Sequence, residues 1–322
     1  MSAICPEVLI ISNRYDFATD HVVFQLKRMG ASYLRLNRDQ FSDFKLSFLP
    51  TAQKLYGEAE KFTFQVSPDS LKSIFFRAPV FLRDNYQPDL PPDRQLSRSQ
   101  WAAFIRGLMA FDNVSWINHP QATYQAETKP YQLHLAKRIG FDVPETVITN
   151  AAGYYTNVAK GKSKVIVKTL DSVLLNLDGR EAFIYTNEVS SGELIEADIS
   201  TAPVIIQESL IPKTDIRVTV VCDFIFAVTI TKDGAGLDED WRLEKNNLKY
   251  TQISLPSEIE TKCKTLVASL GLKFGAIDLA LHKGKYYFLE INPTGEWVWL
   301  LRDANARIDE AIGEALLGYR TL

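Results

Sequence analysis

Residues 274–297 read FGAIDLALHKGKYYFLEINPTGEW. Two apolar runs with alternating periodicity, 274–282 and 285–291, meet at His282-Lys283-Gly284-Lys285, and this pattern predicts a β-hairpin. Glu290 and Asn292 are two apart on one strand, so their side chains leave the same face. The antiparallel partner can set Asp278 beside them. Three oxygen donors then converge. A hard cation such as Mg²⁺ is commonly held by one or two carboxylates together with substrate phosphates, so the trio suits a metal–nucleotide complex. The plainer account, that Asp278 and Glu290 line a wet strand face, is weighed against residues elsewhere in the chain.

The 322 residues are 46% hydrophobic and 23% charged, enough apolar material for one large or two to three small domains with real cores. A net charge of −3 offers no nucleic-acid footprint and no basic membrane-binding face, so neither partner is expected. Cys5, Cys222 and Cys263 are an odd set without CxxC spacing, which argues for reduced thiols in a cytoplasmic protein and against a disulfide frame or zinc site. The opening MSAICPEVLIIS lacks a basic n-region and reads as a first strand. The longest later apolar run, 218–230, is broken by Asp223 and is too short for a bilayer span, so a soluble protein is expected.

Strand EVLIIS at 7–12, a helix over 18–29 stopped by Gly30, and a strand at 32–36 predict a β-α-β opening. Strands at 44–49, 61–66, 73–77 and 115–118 and a helix over 98–111 complete an expected α/β unit at 1–120. No GxGxxG follows the first strand, and Arg14, Arg77 and Arg83 are expected on the solvated surface. A second unit, 121–202, begins with a helix at Thr128-Lys129-Pro130 ended by Gly140. It continues with strands at 145–149, 164–169 and 182–186. The third unit, 203–322, carries an apolar strand at 203–211 and the hairpin 215–222/224–231. A polar loop at 232–249, a helix at 256–270, the acid hairpin and a helix at 303–317 follow.

Lys168 lies within the apolar strand KVIVKT, where its charge needs a partner that a phosphate can supply, and Lys129 at a helix start is a second candidate. Gly161-Lys162-Ser163 is no Walker loop, because position 156 is Thr and a strand follows. Arg217 sits two residues from Asp215 on one strand face, and Arg242 stands in an acidic loop. Each has a bland salt-bridge account, or else supplies the planar fork that binds phosphoryl oxygens.

The order Lys129, Lys168, QESL at 207–210, DIRV at 215–218, DWR at 240–242, Asp278 and EINPTGEW at 290–297 resembles the ATP-grasp ligases. More narrowly it resembles the graspetide (microviridin-type) macrocyclases, over about 115–300, with residues 1–120 fitting a pre-ATP-grasp domain. The resemblance implies an α/β ATP-grasp fold that uses ATP and Mg²⁺. Lys129 and Lys168 would meet ATP, Gln207, Glu208, Ser209 and Leu210 the adenine edge, and Asp215 the ribose. Arg217 and Arg242 would hold the γ-phosphate and acyl phosphate, and Asp278, Glu290 and Asn292 the Mg²⁺. The turn at 171–181 would be a lid, although Gly179 is its sole glycine, and a homodimer acting on a ribosomal precursor peptide is expected. The implied reaction joins Asp or Glu carboxylates to Ser, Thr or Lys within that peptide. A RimK-like carboxylate–amine ligase and a non-catalytic nucleotide-binding scaffold stay open as alternatives.

Overall fold

A computed structural model describes residues 3–77, 90–151, 158, 164–171, 174–177, 180–183, 186–196, 199–232, 236 and 248–319. Arg83, Arg242, Gly161-Lys162-Ser163, the tip of the 171–181 turn and most of the 232–249 loop lie outside them.

The N-terminal unit contains a parallel sheet ordered β2-β1-β6-β7, from β1 (Val8–Ser12), β2 (Tyr33–Asn37), β6 (Ser73–Phe76) and β7 (Ser115–Ile117). All five side chains of β1 are buried, as a strand covered on both faces requires. Helix α1 (Phe17–Arg28) starts where the Asp16 carboxylate accepts from the Thr19 amide, and Gly30 at φ +71° lies beyond its end. A strand missed in sequence completes a meander after β2: between β3 (Lys45–Leu49) and β5 (Thr63–Val66) runs β4 (Lys54–Glu58), pairing with both. Its Lys-Leu-Tyr-Gly-Glu alternates too weakly to announce a strand. Helix α2 spans Pro92–Gly107, beginning six residues before the expected 98 because Pro91 and Pro92 pre-set its first turn.

The central sheet is antiparallel, ordered β12-β9-β13-β8, from β8 (Thr146–Thr149), β9 (Lys164–Lys168), β12 (Asn187–Ser190) and β13 (Val204–Glu208). A separate hairpin joins β10 (Leu174–Leu177) to β11 (Arg180–Phe183), so the strand expected at 182–186 begins at 180. Val165, Val167, Ile206 and Val204 pack on Leu194 of the short helix α5 (Ser191–Glu196), leaving Lys168 and Gln207 on the opposite face. Because β13 pairs with β8 and β9, this sheet runs past the expected boundary at 202/203 as far as Glu208.

The C-terminal sheet is ordered β16-β15-β14-β17-β18: β14 (Thr214–Val221), β15 (Phe224–Lys232), β16 (Leu248–Ile253), β17 (Phe274–His282) and β18 (Lys285–Asn292). The hairpin turn carries Lys283 and Gly284 at φ +49° and +77°, matching its short-loop reading. One sheet face, with Ile216, Val218, Ile277, Leu279 and Ile291, packs against α6 (Ser257–Ser269) and α4 (Lys129–Ile139). Val221, Phe274 and Ala276 at one end of the other face meet α1, α7 (Val298–Asp303) and α8 (Ile308–Leu316). The helix expected at 303–317 is α8, which begins only at Ile308, and α7 precedes it. The helix α3 (Pro120–Ala126), before α4, was not foreseen because seven residues carry too little periodicity.

Candidate functional site

The other end of that second face is polar. Strand register sets Arg217 opposite Asp278, and Asp278 opposite Glu290, so three charged side chains form one row across β14, β17 and β18. In the next row Ala276 stands opposite Asn292. Arg217 is 4% exposed and pairs with Asp278 through Nε–Oδ1 at 2.7 Å. The cross-strand salt bridge anticipated for Arg217 is made to Asp278. Trp299 of α7 lies with its ring centroid 5.9 Å from the Arg217 guanidinium carbon, and the Tyr250 ring packs against Trp299 at 4.9 Å, tilted by 54°. Asn292 Nδ2 donates to Glu290 Oε1 at 3.4 Å.

Each residue of EINPTGEW has a physical task. Glu290 and Asn292 face the polar row, and Ile291 is buried in the core. The Pro293 carbonyl accepts from Asn118 Nδ2 at 2.8 Å; the same Asn118 bonds the Phe274 carbonyl and the amides of Lys273 and Phe274. Gly295 has no room for a side chain: a Cβ there would lie 2.5 Å from Ala276 Cβ and 3.2 Å from Asn292 Cβ. Trp297 is fully buried among α1, α7 and α8.

Arg77, expected in solvent, is buried beneath this segment; its side chain is 5% exposed. It donates to the Thr294 carbonyl at 2.7 Å, to Glu296 Oε1 at 2.8 Å and to Asp16 Oδ2 at 3.3 Å. Burial pushes the Asp16 carboxyl up, but the Arg77 charge and hydrogen bonds from Thr19, Arg77 and Ser12 outweigh it and hold the group below its ordinary 3.8. Arg14 is exposed and pairs with Asp39, as expected. Nothing in sequence distinguished the two arginines; only the folding of the 294–296 segment over the end of β6 buries Arg77.

On the central sheet Lys168 closes β9, not its middle, and donates to Gln207 Oε1 at 3.1 Å; Gln207 Nε2 in turn donates to Thr146 Oγ1 at 2.8 Å. Lys129, at the first turn of α4, donates to the Thr169 carbonyl at 3.0 Å, which brings both expected lysines to one end of β9. Glu208 exchanges backbone contact with Glu145, its amide donating to the Glu145 carbonyl at 2.8 Å. Ser209 donates to Glu188 Oε1 at 2.6 Å, and Leu210 is buried. Burial raises the Glu188 carboxyl, yet Lys164 and Ser209 together bring it below its usual value. Asp215 is 7% exposed and paired with Lys213 at 2.5 Å. Glu188, Gln132, Asn118 and Trp299 were not singled out in sequence; the first three are ordinary polar residues whose partners lie far along the chain.

The donor set fits a hard cation. No group of three or more His, Cys, Asp or Glu side chains capable of holding a metal stands among the described residues. Asp278, Glu290 and Asn292 together offer two carboxylates and an amide oxygen, hard donors of the kind that would hold Mg²⁺ alongside phosphate oxygens and water. No described helix is long and apolar enough to cross a membrane.

No protein-family profile and no curated protein matches this chain. Solved structures do. A macrocyclase from Microcystis aeruginosa, MdnC, bound with its precursor peptide MdnA, is 24% identical at a TM-score of 0.83, covering 97% of this chain and 99% of that one. A Chryseobacterium gregarium RiPP-associated ATP-grasp ligase, in complex with ADP and a leader and core peptide, is 24% identical at 0.84, covering 97% and 96%. The macrocyclase MdnB from Microcystis aeruginosa is 25% identical at 0.76, covering 96% and 98%. The chain thus has the ATP-grasp fold along nearly its whole length.

Proposed function

We propose that this chain, a protein of ATP-grasp fold, is an ATP-dependent peptide macrocyclase. It activates Asp or Glu side-chain carboxylates of a ribosomal precursor peptide as acyl phosphates and closes ester or amide links with Ser, Thr or Lys side chains of the same peptide. The observation that carries this reading is the in-register row Arg217–Asp278–Glu290, with Asn292 beside Glu290. It lies in a fold whose solved counterparts hold precursor peptide, ADP or both.

A carboxylate oxygen is a poor leaving group, and transfer of the γ-phosphoryl of ATP makes it a good one. Asp278, Glu290 and Asn292 hold Mg²⁺, which offsets phosphate charge when bound. Lys129 and Lys168 meet the triphosphate, residues 207–210 the adenine edge, and Asp215 the ribose. Arg217 and Arg242 steady the phosphoryl oxygens of the acyl phosphate. Arg217 is pre-aimed for that task, since Asp278 fixes one edge of its guanidinium and Trp299 covers its face. The attacking hydroxyl or amine comes from the peptide, so the enzyme needs no nucleophile of its own. A cytoplasmic homodimer belongs to the same reading, and sedimentation of the purified protein tests its stoichiometry.

The deciding experiment incubates the protein with ATP, Mg²⁺ and a short Thr/Ser/Asp/Glu-rich peptide encoded beside it. Mass spectrometry should show loss of one water per ring with release of ADP and phosphate. Addition of an amino-acid mass instead overturns macrocyclisation in favour of a ligase joining free amino acids.

A further inference from the structure

We propose that Gln132 is the positioning residue that fixes the Glu290–Asn292 pair for a divalent cation, acting as a side-chain stand-in for the strand that β18 lacks. This rests on the metal assignment above. Strand β18 is the edge of its sheet, pairing with β17 on one side. Edge strands leave backbone N–H and C=O groups that need partners when buried. Along the outer side of β18, the Phe288 amide finds the Asp142 carbonyl at 2.9 Å. Ile291, fully buried and set between the two cation ligands, meets Gln132 instead.

Gln132 Oε1 accepts from the Ile291 amide at 3.1 Å, and its Nε2 donates to the Ile291 carbonyl at 2.9 Å. The same nitrogen donates to the Ala126 carbonyl at 2.5 Å, which anchors the amide from behind. A primary amide presents a donor and an acceptor side by side, as a neighbouring peptide unit does; no other side chain of this length can satisfy both groups at once. Gln132 is 3% exposed, so water does not readily replace it. It touches neither ligand: Glu290 and Asn292 leave the strand toward the polar face while Ile291 faces the core. What it controls is the backbone between them, and a shift there changes the separation of the two side chains directly. Lys129, one turn earlier on the same helix, bonds the Thr169 carbonyl at 3.0 Å. One turn of α4 therefore ties the lysine end of the central sheet to the cation strand of the C-terminal sheet.

Calorimetric titration of the full chain with ADP, in EDTA and across a Mg²⁺ series, tests this. Gln132→Leu should leave Mg²⁺-free ADP affinity within about twofold of wild type while raising the Mg²⁺ concentration for half-maximal tight binding about tenfold, as loss of an outer-shell partner does. Gln132→Asn keeps the uncharged amide but withdraws it by one methylene, so its shift should be smaller, and hydrogen exchange at Ile291 should speed up in both variants. A folded Gln132→Leu protein with unchanged Mg²⁺ dependence, or one weakened equally with and without Mg²⁺, overturns the inference. Should the Leu variant fail to fold, the Asn variant decides by the same criterion. Wild-type protein whose ADP binding ignores Mg²⁺ overturns the metal assignment itself and this inference with it.

Discussion

On the C-terminal sheet, Arg217, Asp278 and Glu290 face one another because three strands hydrogen-bond in register. On the central sheet, Lys168 and Gln207 come from adjacent strands, and Lys129 reaches the same end of β9 from a helix through a long, flexible stem. The first arrangement is held by backbone ladders and a buried ion pair. The second is held by side-chain bonds to amide and carbonyl oxygens. In the proposed reading the cation, with its strict octahedral demands, is assigned to the rigid row, and the triphosphate, with its several rotamers, to the adaptable one. The difference is one of stiffness, set by how each side chain is anchored.

The largest effect should come from breaking the rigid row. Glu290→Ala should lower turnover on the order of a thousandfold, with a smaller fall in melting temperature than Asp278→Ala because Glu290 is half-buried and Asp278 buried. Asp278→Ala should cost as much turnover and also about 3 kcal/mol of stability, because it leaves the Arg217 guanidinium buried without its carboxylate. Paired denaturation curves check this; equal stability of the two variants removes the distinction between them. A smaller effect awaits on the adaptable row: Lys168→Met should weaken ADP binding by about 2 kcal/mol, roughly thirtyfold, read by calorimetry.

The smallest effect lies outside both rows, at the Arg77–Asp16 pair beneath the 294–296 segment. Asp16 has a depressed carboxyl in the folded state, so its contribution is fully present above its ordinary 3.8 and is lost as pH falls through the folded value. Asp16→Asn should therefore be less stable than wild type at neutral pH, with the two converging below about pH 3.8; a constant gap down to pH 2 would sink the assignment.

Much of the rigid row was legible because it is local. Asp278, Glu290 and Asn292 lie within one hairpin, so alternation and a Lys-Gly turn gave both their pairing and their shared face. Lys168 stood out for a different reason, as a charge inside an apolar run, although the strand in fact ends on it. The weak strands β4 and β16 and the short helices α3 and α5 were not, since a few residues of mixed character take their structure from neighbours. Nor was α7, which ends where the expected C-terminal helix was to begin.

The sequence by itself determined which side chains could meet a metal–nucleotide complex, because period-2 alternation and hairpin chemistry act over a dozen residues. Tertiary structure alone decided what holds them there: Gln132 against Ile291, Asn118 against Pro293, Arg77 against Thr294 and Glu296. Each of these joins residues more than a hundred positions apart through one or two side-chain hydrogen bonds. No periodicity links such pairs, and only burial, which makes an unpartnered backbone group costly, reveals that the contact must be made.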